Sequence, residues 1–179
     1  NHPYLNGAWT PQHEEVTATD LDVIEGKIPT DIDGVYLRNT ENQLHHPLGR
    51  YHPFDGDGMI HQIDFRNGTA SYRNRWVRTR RFELERAAGR ALFGGLTSMD
   101  QSDPEAFRAL EAQGLSSYEA VQLATDAANT NVIWHAQKLL ALLEVANPTE
   151  LDPRTLETKG SHDYAGKLRG GMTAHPKID

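Results

Sequence analysis

The sequence predicts an all-β chain interrupted by one helical segment, and three observations carry that prediction. Short runs of alternating apolar and polar residues, bounded by Gly, Pro, Asn and Asp, recur from residue 21 to 79 and again from 131 to 164. Between them, from Phe82 to Asp126, the period changes from two to helical. After Asn131, four consecutive short strands within about 35 residues match one blade of a propeller, although a fragment of a sandwich has the same pattern. A propeller closes with about four to eight blades of roughly 40–45 residues each, so 179 residues cannot complete the circle. With Asn1 at the start and a pattern cut at Asp179, the chain reads as part of a larger protein.

Taken in order, residues 1–20 are polar and punctuated by Pro3, Gly7 and Pro11, which predicts an irregular arm over the domain. Leu21–Ile28 and Gly34–Asn39 read as strands around the turn-forming 29–34 segment. Met59–Phe65 and Thr69–Thr79 form a hairpin about Arg66-Asn67-Gly68. Asp103 before Pro104, with Gly114 beyond, delimits one helix, and Ser116 with Glu119 makes a capping box for a second, through Leu123. The last four strands are Asn131–His135, Lys138–Glu144, Glu150–Asp152 and Leu156–Tyr164. Residues 128–164 thus make up one blade, and 82–126 the helical insert.

Composition narrows the function. The chain has no cysteine, which removes thiolate metal sites and Cys nucleophiles and fits a reducing, cytoplasmic setting. A net charge of -7 argues against nucleic acid as a partner. The arginines of the return strand (Arg73, Arg75, Arg78, Arg80, Arg81) scatter over both faces and read as salt-bridged. No apolar run approaches a membrane span, so membrane contact would be peripheral. Its candidate is the apolar stretch Ala91–Leu96, either packed on the body of the fold or forming a lip beside an apolar pocket.

Two sets of residues suggest metal chemistry. Asp55 and Asp57 before glycines suggest calcium, but the oxygen ligands of an EF-hand do not follow, and a tight Asp-Gly turn accounts for the run. His46, His52 and His61 have no spacing that gathers them on one face. His175, in Thr173-Ala174-His175-Pro176, is a candidate ligand, yet one imidazole does not make a site.

Four runs then line up in order: Tyr4-Leu5-Asn6-Gly7, Phe54-Asp55-Gly56-Asp57-Gly58-Met59, Ala128-Asn129-Thr130-Asn131 leading to Leu139–Glu144, and Leu156-Glu157-Thr158 leading to Thr173–Pro176. Together they resemble the carotenoid cleavage oxygenases, of which this chain is similar to the N-terminal part. The resemblance implies a seven-bladed β-propeller with a helical dome over its axis and Fe(II) held by four histidines. It makes His175 the first iron ligand and Glu144 a carboxylate behind the metal shell that orients another of the histidines. It further implies dioxygen and an apolar polyene as partners, with cleavage of a carbon–carbon double bond of a carotenoid or apocarotenoid. Stilbene-cleaving relatives tend to have lysine before that glutamate and tyrosine after the Ala-Leu-Phe-Gly stretch. Here Leu143 and the Leu96-Thr97 region stand there, favouring the polyene. The alternatives are a stilbene- or phenylpropenoid-cleaving dioxygenase and a propeller scaffold without chemistry.

Overall fold

The computed structural model describes residues 2–177. The strands are β1 (Thr17–Ala18), β2 (Gly34–Asn42), β3 (Asp57–Arg66), β4 (Thr69–Trp76), β5 (Asn131–His135), β6 (Lys138–Leu142), β7 (Thr149–Leu151) and β8 (Thr158–Ser161). Between β4 and β5 lie three helices, α1 (Arg80–Ala88), α2 (Pro104–Ala112) and α3 (Ser117–Thr125). The strands form two antiparallel four-stranded sheets, ordered β1-β4-β3-β2 and β5-β6-β7-β8. The second gathers the four consecutive short strands that follow Asn131.

Local chemistry explains the hairpins. Asn67 and Gly68 both adopt positive φ, 49° and 77°, the mirror-image turn whose twist matches that of the flanking strands. Ala136 and Gln137 take the same shape between β5 and β6, at 47° and 63°, without a glycine. Apolar residues then join the sheets. Ile60 of β3 and Val77, just beyond β4, pack with Leu139 and Ala141 of β6, Leu151 of β7 and Leu156 before β8, all essentially excluded from water. The Asn39 amide fastens β2 to the start of β5, donating to the Ala128 and Asn131 carbonyls at 2.8 and 2.9 Å.

Several boundaries differ from expectation for identifiable reasons. No strand forms over residues 21–28: β1 already occupies the outer edge of β4, and residues 21–27 lie exposed, Ile24 almost completely. The arm is correspondingly less irregular than its composition suggested, with Thr17 and Ala18 paired to Arg73 and Tyr72. β4 ends at Trp76 because Thr79 caps α1, its hydroxyl accepting from the Phe82 amide at 3.2 Å. Arg80 and Arg81 therefore belong to a helix, not to the return strand, and Arg81 is buried. β8 is shorter than residues 156–164 because Leu156 and Tyr164 adopt left-handed backbone, with φ of 63° and 54°. Likewise β6 stops at Leu142, with Glu144 beyond it.

The apolar stretch at 91–96 packs rather than forming a lip. Leu92 and Phe93 are buried with Leu110 of α2 and Ala120 and Ala124 of α3, and only Leu96 reaches solvent, at 67% exposure. No helix among the described residues is long and apolar enough to cross a membrane.

Candidate metal centre

The segment carrying His175 is held against the end of the second sheet by small residues and one amide. Ala174 is buried with Leu140 and Leu142, and its carbonyl accepts from the Asn131 side chain at 2.8 Å. Upstream, the Met172 amide donates to the Ala146 carbonyl at 3.0 Å. This seating needs Gly171, since a Cβ there would come within 2.1 Å of the Val145 backbone. With Ala174 turned inward, the His175 side chain stands in solvent, 69% exposed.

Glu144 shares this corner. Its Oε1 lies 3.9 Å from His175 Nε2, beyond hydrogen-bond reach, and accepts from the Thr173 hydroxyl at 3.2 Å. The Thr173 oxygen in turn accepts from the His175 amide at 3.2 Å. The structure thus brings together both residues singled out in the sequence. Glu144 is half-exposed rather than buried, so here its carboxylate is stabilised by water and one hydroxyl. Asn131, Gly171 and Thr173 position this corner and were not singled out, although Asn131 and Thr173 lie inside the motif runs.

No group of three or more His, Cys, Asp or Glu side chains able to hold a metal occurs among the described residues. One imidazole beside a carboxylate fits a single corner of an iron site, and these residues supply no more of its shell. The three histidines considered as a metal set, His46, His52 and His61, have local roles. His52 Nδ1 accepts from the Phe54 amide, His46 lies against the Pro47 carbonyl, and His61 bridges Thr40 and Tyr72.

The Phe54–Met59 run is a knot of close contacts rather than a calcium loop. Both Asp55 oxygens are taken by backbone amides, those of His52 and Leu96, each at 2.7 Å. Asn129 donates to the Phe54 and Gly56 carbonyls at 2.6 and 2.7 Å. Gly58 passes so near the Ala128 carbonyl that a Cβ would sit 2.3 Å from it. Beneath lies a set of buried charges. Asp57 is pushed up to about 6 by burial, partly offset by Arg81, and Asp126 to about 7, again by burial. Arg81 Nε lies 3.6 Å from Glu85 Oε2, with both side chains almost wholly covered.

A family model described as retinal pigment epithelial membrane protein matches residues 9–179. The chain belongs to this family. It is 40% identical over 182 residues to isoeugenol monooxygenase of Pseudomonas putida, covering all of this chain and 34% of that enzyme. Among solved structures it matches the lignostilbene dioxygenase of Pseudomonas brassicacearum at a TM-score of 0.84 and 34% identity, over 100% of this chain and 35% of that one. It matches cobalt-substituted Synechocystis apocarotenoid oxygenase at 0.68 and 32%, over 94% and 34%. The chain therefore spans about a third of the length of the relatives it matches.

Proposed function

We propose that the protein is an Fe(II)-dependent dioxygenase that cleaves a carbon–carbon double bond of a carotenoid or apocarotenoid. In this reading one oxygen atom of dioxygen goes to each of two carbonyl products, and no external reductant is consumed. The observation that carries it is the corner in which a buried Ala174 fixes an exposed His175 beside Glu144, in a chain of this family.

Iron bound there would supply the activation of dioxygen. His175 would furnish one neutral imidazole, while further histidines would come from outside these residues. Glu144, held by the Thr173 hydroxyl, would accept from the far ring nitrogen of another ligand, fixing its orientation and raising its basicity. The fold belonging to this reading is a seven-bladed propeller with a helical dome, in which the two sheets are blades and α1–α3 contribute to the dome. We place the protein in the cytoplasm, with peripheral membrane contact reduced to the neighbourhood of Leu96, the exposed member of its stretch.

A second substrate reading, a stilbene or phenylpropenoid, is favoured by the better superposition on the lignostilbene dioxygenase and the likeness to isoeugenol monooxygenase. Against it stands Leu143, apolar and directly before Glu144. The test uses the full-length protein, wild type beside His175→Ala, loaded anaerobically with Fe(II) and analysed for metal. Near-stoichiometric iron lost in the variant, with unchanged circular dichroism, is the expected result; equal iron in both, or none in either, would refute the assignment. Turnover of an apocarotenal against isoeugenol and a hydroxystilbene then decides the substrate.

A further inference from the structure

The seam between the two sheets holds a cleft of about 310 Å³, lined from both sides. From the first sheet come Gln62, Asp64, Arg66 and Arg73; from the turn between β7 and β8 come Pro153 and Arg154. The β3–β4 register sets Gln62 opposite Arg73 and Asp64 opposite Ser71, so these side chains share one face of the sheet.

Three features distinguish this cleft from a solvated groove. Its charges do not cancel. Asp64 neutralises Arg66 at 3.1 Å, while among the described residues neither Arg73 nor Arg154 has a carboxylate partner. The cleft is left with two net positive charges on a chain whose overall charge is -7. The second feature is Gln62, which is only 5% exposed, with a side-chain carbonyl oxygen that has no hydrogen-bond partner among the described residues. A half-turn of the amide puts its N–H group at this buried position, where an acceptor oxygen in the cleft would satisfy it. Finally, Arg73 donates to the Arg154 carbonyl, which ties the two sheets together at the cleft and fixes the approach of the second arginine.

We propose that this seam binds a small dianion of the phosphate class, as inorganic phosphate or a phosphate monoester. Planar guanidinium groups match two phosphate oxygens at a time, and two uncompensated arginines balance a double negative charge. The Gln62 amide, turned by a half-turn, donates to a third oxygen. The site is independent of the iron reading, because neither His175 nor Glu144 lines it.

The test is calorimetric titration of the full-length protein with inorganic phosphate near pH 7.5, against sodium chloride at matched ionic strength. The expected result is one saturable site per chain, weakened at least tenfold in Arg154→Gln and in Arg73→Gln. Arg78→Gln should leave it unchanged, since Arg78 sits at another cleft, paired with Glu15 at 3.1 Å. Arg154 is exposed in a turn, so its variant reads the site without threatening the fold. A parallel arm uses phosphatidylcholine vesicles with and without phosphatidic acid. Vesicle binding that needs the acid lipid and is lost in Arg154→Gln assigns the phosphate to a headgroup. Binding of free phosphate alone assigns it to a soluble ligand. Absence of saturable binding in both arms, or equal weakening by Arg78→Gln, would overturn the proposal.

Discussion

At the scale of single residues, close approach of backbone holds the two sheets and the helices in register together with the buried apolar side chains. Gly58 makes this plain. Its amide donates to the Ala127 carbonyl at 2.7 Å, its carbonyl accepts from Val77 at 2.7 Å, and the Ala128 carbonyl fills the space a Cβ would need. Gly58→Ala should therefore destabilise the protein by about 1–3 kcal/mol or more, read as a drop in Tm, because the obstruction is backbone and cannot rotate away. Gly89→Ala is the instructive contrast. Nothing lies within 4 Å of a Cβ there, and the cost comes only from holding a φ of 68°, about 1 kcal/mol. Asn129→Ala should cost more than the Gly89 variant, since it strands two carbonyls at once, those of Phe54 and Gly56. A larger loss in Gly89→Ala than in Gly58→Ala would contradict this account. The Asp-Gly-Asp-Gly run was conspicuous in the sequence, but its reason was not, because the atoms that forbid side chains at Gly58 arrive with Ala128, far along the chain.

At the scale of elements, legibility followed how local the controlling interactions are. The α3 capping box was readable from Ser116 and Glu119 alone. It forms as read: Ser116 Oγ accepts from the Glu119 amide at 3.3 Å, and the Glu119 carboxylate accepts from the Ser116 amide at 2.8 Å. The Ser116 hydroxyl, donating to that carboxylate, holds Glu119 below the usual range. Ser116→Ala should accordingly destabilise by about 1 kcal/mol, measured by denaturant unfolding; an unchanged midpoint would show that α3 is held by packing alone. The hairpin at Asn67-Gly68 and the start of α2 at Asp103-Pro104 were equally local and equally readable. β1 and the failure of residues 21–28 to form a strand were not, since both depend on which segment first claims the edge of β4. His175 and Glu144 were singled out through their motifs. Their solvent exposure and the Thr173 bridge between them follow from tertiary placement that no periodicity encodes.

At the scale of the molecule, the sheets and the helical insert are joined through buried charge as well as apolar contact. Asp57 opens β3, Arg81 and Glu85 lie on α1, and Asp126 follows α3, so one guanidinium serves three carboxylates. Asp57 also feels His45 and accepts from the Leu44 amide at 3.2 Å, while Asp57 Oδ1, Arg81 Nε and Asp126 Oδ1 have no hydrogen-bond partner among the described residues. Burial raises Asp57 to about 6 and Asp126 to about 7, against an ordinary 3.8. The folded state therefore holds more protons than the unfolded chain between about pH 4 and 7, and stability falls as pH rises through that window. His61 works in the opposite sense. Burial and then Arg38 lower its affinity for a proton, so its contribution is lost as pH falls. The discriminating quantity is thus the stability of wild type minus that of Asp126→Asn, followed from pH 5 to pH 8, in which His61 cancels. The stability of the variant relative to wild type should rise by roughly 2–3 kcal/mol between pH 5 and pH 8, seen as a Tm that no longer declines so steeply. An Asn variant equally destabilised at both ends would mean that Asp126 is ionised throughout and satisfied by Arg81. The joint between sheet and helices would then be an ordinary salt bridge rather than a protonated one.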